Sequence, residues 1–178
     1  MTVVVRETRE TSVRIELQPG SGAVAVATGE AFLDHMLATL ARYAGLDLSV
    51  EARGDLRHHL VEDVAIATGE ALRATVPAHA ARYGHAVIPM DDALVDVALD
   101  LGGRPYYCGP LPSSLYDHWM RSFADHAVAT MHLRVLRGRD RHHVVEAGFK
   151  ALGLALRDAL REGEAVFSTK GPVRLEVR

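Results

Sequence analysis

The chain has a single cysteine, Cys108, so no disulfide can form within it and a disulfide-stapled scaffold is excluded. It has no apolar run close to the ~20 residues a membrane helix requires. It has no excess of positive charge: a net charge of −3 argues against nucleic acid or an anionic membrane as partner. The opening Met1-Thr2-Val3-Val4-Val5-Arg6-Glu7 lacks the basic and apolar regions of a signal peptide. Low-complexity stretches, long linkers and any nicotinamide, flavin or nucleotide motif are also missing. These absences lead us to expect a cytoplasmic protein. At 178 residues and 48% hydrophobic content, the chain has the length and composition of one globular subunit.

What is there is a stretch that occurs twice. Arg53-Gly54, three residues, then His58-His59-Leu60-Val61-Glu62 recurs as Arg137-Gly138, three residues, then His142-His143-Val144-Val145-Glu146, with an offset of 84. Gly69, Ala71, Leu72 and Arg73 fall on Gly153, Ala155, Leu156 and Arg157. Upstream, Asp34-His35 matches Asp117-His118 with an offset of 83. Self-similarity of this length sets the architecture: two related halves, taken as residues 1–84 and 85–178, in one compact subunit.

The pattern gives each half the same order of elements. Residues 2–8, 12–18 and 23–27 alternate or are β-branched, as strands do, with a turn at Gly20-Ser21-Gly22. Phe32–Tyr43 reads as a helix and Leu46–Ala52 as a strand. In the second half Val87-Ile88 and Leu94–Leu101 read as strands, Pro105-Tyr106-Tyr107 as a strand extension, Ser114–Ala129 as a helix and Met131–Leu136 as a strand. Val61, Ala65, Thr68, Leu72 and Val76, like Val145, Phe149, Leu152, Leu156 and Leu160, form the apolar stripe of a helix behind each His-His pair. The expected class is α+β, with each half a mainly antiparallel sheet carrying two helices on one face.

On a helix, residues i and i+4 share a side, and i+1 turns away by about 100°. His58 and Glu62 can therefore hold one ion together while His59 faces another; His142, Glu146 and His143 repeat the arrangement. Imidazole with carboxylate suits zinc, manganese or iron. One His-His pair near a helix start is commonly a surface feature. Two in register, each keeping its Glu, point to metal.

The sequence resembles the imidazoleglycerol-phosphate dehydratase family. The matching pieces run in family order: Glu10-Thr11, Phe32-Leu33-Asp34-His35-Met36, Gly54-Asp55-Leu56, His58-His59 with Val61-Glu62-Asp63, Arg82-Tyr83-Gly84, Pro89-Met90-Asp91-Asp92-Ala93-Leu94, Gly103-Arg104-Pro105-Tyr106, Asp117-His118, His142-His143 with Glu146-Ala147 and Phe149-Lys150-Ala151, and Ser168-Thr169-Lys170-Gly171. The resemblance implies a hydro-lyase of histidine biosynthesis with a fold like that of ribosomal protein S5 domain 2. It also implies two manganese ions per active site, one held by His35, His59, His142 and Glu146, the other by His58, Glu62, His118 and His143. Glu10 would be the general acid/base. Glu10, His35, Arg82, Arg104, Ser168, Thr169 and Lys170 would contact a small phosphate-bearing substrate. The implied assembly is a homo-oligomer of 24 subunits with sites at subunit interfaces.

The chain departs from the family in its loops. The approach to His58 is three residues shorter than usual and lacks an acidic pair, Leu60 and Tyr43 replace a usual Thr and a frequent His, and Asp140 stands where Asn is usual. The segments before Ser168 and between Arg104 and His118 are also shorter. A shell protein that keeps the ligands only as subunit glue is the competing expectation; the retained Glu10, Arg104 and Ser168-Thr169-Lys170 favour the enzyme.

Overall fold

The computed structural model describes residues 1–163; Ser168, Thr169 and Lys170 lie outside the described residues. The first half runs β1 (Thr2–Glu7), β2 (Thr11–Pro19), β3 (Val24–Ala27), α1 (Ala31–Ala44), β4 (Leu46–Gly54) and α2 (Arg57–Thr75). The second repeats it with β5 (Tyr83–Met90), β6 (Ala93–Leu101), β7 (Tyr106–Cys108), α3 (Ser114–His126), β8 (Ala129–Arg137) and α4 (Arg141–Ala159). The sheets have the same strand order, β1-β2-β4-β3 and β5-β6-β8-β7. In each, two neighbouring pairs are antiparallel and the third, β3 with β4 or β7 with β8, is parallel.

The alternation in the sequence decides which face of each sheet is covered. Val13, Ile15 and Leu17 of β2 and Leu46, Leu48, Val50 and Ala52 of β4 point inward, while Ser12, Arg14 and Glu51 point out. Val95, Val97, Leu99 and Leu101 of β6 do the same in the second sheet. The helices fill the space between the two sheets. Each packs on its own sheet, and across the halves α1 lies against α4 and α2 against α3. Trp119, Phe123 and Phe149 meet in this middle layer, with Trp119 and Phe123 stacked at 5.1 Å. Each such ring contributes on the order of 1.5–3 kcal/mol by leaving water.

Two glycines set how closely the helices approach. A Cβ at Gly69 of α2 would stand 2.7 Å from the Phe123 carbonyl oxygen and 2.9 Å from the Ala127 nitrogen on α3. A Cβ at Gly153 of α4 would stand 2.9 Å from the Leu40 carbonyl oxygen and 3.2 Å from the Ala44 nitrogen on α1. Gly69 and Gly153 are repeat partners, and so are the backbone atoms they meet. Each lies two helical turns beyond a motif glutamate, Glu62 or Glu146, on the same helix face.

Helix ends differ from expectation in one place. The pattern carried the third helix to Ala129, but α3 stops at His126 and β8 begins at Ala129. In the first half Gly45 makes the left-handed turn after α1, with φ 69°. Its repeat partner is Val128, which takes φ 53°, a conformation that L side chains rarely adopt. The turn survives without its glycine, so the stop signal is missing from the sequence. Similarly, Tyr106–Cys108 is not an extension of β6 but a separate strand paired in parallel with β8.

Alanine is the better helix former by about 1 kcal/mol. Gly69→Ala should nonetheless lower stability, by about 1–3 kcal/mol, because the added methyl meets backbone rather than a movable side chain. Urea unfolding measures it; an unchanged or raised midpoint would show that the helices separate freely.

Candidate metal centre and active site

The two His-His pairs stand at the starts of α2 and α4, and the four helix starts face one end of the subunit. In α4 the Asp140 carboxylate caps the helix, accepting from the His142 N–H at 2.7 Å. One turn in, His142 Nε2 comes within 3.2 Å of Glu146 Oε2, and His58 Nε2 within 3.7 Å of Glu62 Oε2. The crossing helix of the other half supplies a third member. His35 of α1 brings Nε2 to 3.3 Å from Glu146, and His118 of α3 brings Nε2 to 3.2 Å from Glu62. Asp34 and Asp117, each preceding one of these histidines, anchor the helix start. Asp34 accepts from the Thr28 N–H and hydroxyl, and Asp117 from the Leu111 N–H and the Tyr107 hydroxyl. Tyr107 and Tyr116, both buried, have their phenol groups pushed up by burial, Tyr116 to about 12.

The outcome is two triads, His35–His142–Glu146 and His58–Glu62–His118, each offering three ligand atoms within 4.8 Å of one another. Their imidazoles lie nearly parallel in pairs: His58 on His118 at 5.0 Å and 22°, His35 and His142 at 6.4 Å and 26°. His118 Nε2 is buried and makes no hydrogen bond among the described residues. Such a nitrogen, aimed at a carboxylate that it does not bond, is suited to a cation between them. The triads are chemically unequal. Burial acts to raise the Glu146 carboxyl, but the Lys150 ammonium at 2.9 Å and His35 outweigh it and hold the group below the usual carboxylate value. Ile66 occupies the position equivalent to Lys150 in the first half. The Glu62 side chain is 36% exposed against 9% for Glu146.

His59 and His143 join neither triad. His59 Nδ1 lies 2.9 Å from Asp55 and 3.4 Å from Glu10; His143 Nδ1 lies 2.8 Å from Asp92. These carboxylates raise both imidazoles above their ordinary value. Glu10, Asp55 and His59 form a third close group. Glu10 sits on the turn between β1 and β2, and Asp91-Asp92 on the matching turn between β5 and β6. The first turn is tied down through Asp63 of α2, which is buried and accepts from the Thr11 hydroxyl and, at 2.8 Å, from Arg6. The Thr8 and Thr11 hydroxyls meet at 3.0 Å, and the Glu10 carbonyl accepts from the Asp55 N–H. The second turn is tied down by Asp92, which accepts from the Arg139 and Asp140 N–H groups.

Arg82 and Arg104 are not brought to the triads. The Arg82 N–H donates to the Ala159 carbonyl at the far end of α4, the end opposite His142. A helix of 19 residues at ~1.5 Å each puts roughly 25 Å between them. There Arg82 grips Asp100 with two hydrogen bonds at 2.6 and 2.9 Å, and the Arg104 carbonyl accepts from Thr130. The remaining histidines have structural company or lie exposed: His85 on Asp96, His126 on Glu70, His132 beside Tyr106. Asp55, Asp92 and Lys150 lie within the pieces that match the family, but carry no site role in the sequence reading. The i, i+4 rule that pairs His58 with Glu62 would have found Asp55 for His59 and Lys150 for Glu146. Asp92 is 51 residues from His143, and no local rule reaches it.

Asp92 carries a pH signature. Backbone N–H donation from Arg139, then His143 and the Asp140 N–H, lower its carboxyl from 3.8 to about 2. A depressed carboxyl gives stability that is present above its unfolded value and lost as pH falls through the folded one. In metal-free protein the unfolding midpoint should therefore drop between pH 3.8 and about 2, and drop less in Asp92→Asn. Parallel curves for the two proteins would remove Asp92 from the acid response.

Comparison with known proteins identifies the family. A family model described as imidazoleglycerol-phosphate dehydratase matches residues 28–156. The chain is 50% identical to the imidazoleglycerol-phosphate dehydratase of Methanothermobacter thermautotrophicus, over 93% of this chain and 94% of that protein. It is 48% identical to that of an Anaeromyxobacter species, over 94% and 91%. A crystal structure of the Pyrococcus furiosus protein superposes with a TM-score of 0.87 at 41% identity, covering 96% of this chain and all of that one. The Staphylococcus aureus enzyme gives 0.79 at 32% identity, covering 92% of this chain and 100% of that one. With its duplicated fold and likeness over nearly the whole length, the chain belongs to the imidazoleglycerol-phosphate dehydratase family of hydro-lyases.

Proposed function

We propose that the protein dehydrates D-erythro-imidazoleglycerol phosphate to imidazole acetol phosphate in histidine biosynthesis, using two manganese ions at sites shared between copies of the chain. The observation that carries this is the incompleteness of each site. Each triad offers two imidazoles and a carboxylate, while His59 and His143, the fourth ligands that the family resemblance implies, stand outside both triads of their own chain. The donor set admits manganese, and the orphaned His118 Nε2 fits a cation beside Glu62. His35, His142 and Glu146 would hold one ion with His59 of another copy. His58, Glu62 and His118 would hold the second with His143 of another copy.

This division pairs the α4 start of one copy with the α2 start of another. Repeated around closed symmetry axes, such contacts build the cubic particle of 24 subunits that the family resemblance implies. Arg82 and Arg104, at the opposite pole, would then reach the substrate phosphate from a further copy, with Lys170 as a third cation. We place the enzyme in the cytoplasm; no helix among the described residues is long and apolar enough to cross a membrane.

Bound metal would hold the imidazole ring of the substrate and stabilise negative charge spreading onto it. The chain's own groups do the rest. Glu10, presented by the pinned β1–β2 turn, takes the poorly acidic C–H proton. The cationic side chains fix the phosphate, Glu10 hands its proton to the departing hydroxyl, which leaves as water, and the resulting enol tautomerises to the ketone. The Glu10 side chain is 56% exposed and, among the described residues, its carboxylate has only His59 as an ion-pair partner, at 3.4 Å, which favours catalysis over a purely structural role for the metals.

Glu10→Gln should lower kcat by about 10²–10⁴-fold while leaving manganese content and unfolding unchanged. Full activity in that variant would remove Glu10 from the mechanism. Wild-type protein loaded with manganese but unable to turn over the substrate would leave the shell reading. Because metal that bridges copies stabilises the assembly by linkage, chelation should convert a large particle into a smaller species, such as a trimer. Light scattering that finds unchanged mass after verified metal loss would refute bridging.

A further inference from the structure

His59 and His143 are each held by a carboxylate, and the two halves reach that result by different routes. Asp55 sits four residues before His59, just ahead of α2, and its Oδ1 lies 2.9 Å from His59 Nδ1. Asp92 belongs to the β5–β6 turn, 51 residues before His143, and its Oδ1 lies 2.8 Å from His143 Nδ1. The two imidazoles are equally accessible, at 29% and 30%. The duplication accounts only for a turn carboxylate near each ring, Glu10 at 3.4 Å from His59 and Asp92 beside His143; the nearer partner of His59 comes from a different element, yet the same ring nitrogen is engaged on both sides.

The choice of nitrogen matters. An imidazole whose Nδ1–H donates to a carboxylate is fixed in one tautomer, with the Nε2 lone pair free and the ring direction set. Nε2 is also the atom by which His35, His58, His118 and His142 approach their glutamates. For His143 the nearest acidic group to Nε2, Asp91, stands 3.6 Å away and is 70% exposed, too far for a hydrogen bond.

We propose that Asp55 and Asp92 are positioning residues that aim Nε2 of His59 and His143 out of their own chain, toward the metal of a neighbouring copy. The inference rests on the bridging reading given under Proposed function. It also separates two carboxylates that crowd His59. Asp55 takes the nearer place at Nδ1, and Glu10, at 3.4 Å, is left free to move protons. In this chain the approach to His58 is short, and Asp55 is the acidic residue within it. A compact loop thus still supplies the carboxylate that the histidine needs.

The test uses full-length protein stripped of metal and titrated with manganese(II), reading free ion by electron paramagnetic resonance and particle mass by light scattering. The proteins are wild type, Asp55→Ala, Asp55→Asn, Asp92→Asn and His59→Ala. Asp55→Ala should weaken one of the two manganese sites by about 10–100-fold and raise the manganese needed for the large particle. Asp55→Asn, which keeps an acceptor oxygen, should lie between it and wild type. Asp92→Asn should weaken the other site. If His59→Ala loses one ion while Asp55→Ala binds both as wild type does, the positioning role is overturned and bridging stands. If His59→Ala itself keeps both ions and the full mass, bridging falls and the inference with it. Equal weakening of both sites together with a lower unfolding midpoint would assign Asp55 to the fold instead, and would equally overturn the proposal.

Discussion

The subunit depends on a crossing of helices between its halves. α1 of the first half lies on α4 of the second, and α2 on α3. Gly69 and Gly153 permit the approach, because only a residue without a Cβ leaves room for the backbone it meets. Each glycine lies on the face of its helix that also carries a motif glutamate. The contact that closes the core therefore fixes, two turns away, where His35 stands relative to Glu146 and where His118 stands relative to Glu62. Neither half owns a triad. His35 finds its partners only in the second repeat, and His58 with Glu62 finds its third member only there. Duplication here creates the site rather than copying one.

The same pseudo-symmetry makes the departures from it informative. Lys150 neutralises the buried Glu146, so that triad tolerates burial without a cation; in the first half an isoleucine takes the place, and Glu62 keeps a third of its side chain in water. Two triads of the same residue types thus carry different charge and different access. An ion entering the Glu146 triad meets a resident ammonium at 2.9 Å from one carboxylate oxygen, with the other oxygen facing the histidines. An ion entering the Glu62 triad meets no such competitor among the described residues.

Much of this was legible because helical spacing is a strict geometric rule. The separation of His58 and Glu62 from His59 follows from 3.6 residues per turn, and the triads obey it. The strand alternation likewise placed Val13, Ile15, Val95 and Val97 inward. What periodicity cannot give is the identity of the opposing element. It says which face of α4 is apolar, not that α1 covers it, so the convergence of His35 on His142 within one chain was out of reach. Val128 defeated the helix boundary because a β-branched residue takes the left-handed conformation where its repeat partner is glycine. Arg82 illustrates a further limit. Its motif marks it as a substrate contact, but the fold sets it beside Asp100 at the pole remote from the triads. The sequence contains the residue types of a site without saying how many copies of the chain are needed to assemble it.

That distance has a consequence for how the enzyme is put together. In the proposed assembly, coordination split as three ligands from one chain and one from another would leave each triad able to capture an ion before assembly, but with an unfilled position. The incoming histidine then brings little entropy cost of its own if its ring is already held, because the rotamer freedom that binding would remove has been lost on folding. Carboxylates at Nδ1 of His59 and His143 supply that hold. They also place negative charge next to a metal site that would otherwise carry a net positive charge across an interface, where unpaired charge is costly to desolvate. In the proposed assembly, the strength of a copy-to-copy contact therefore rests on residues that touch neither the metal nor the neighbouring chain. Completion of the active site and formation of the particle become one equilibrium.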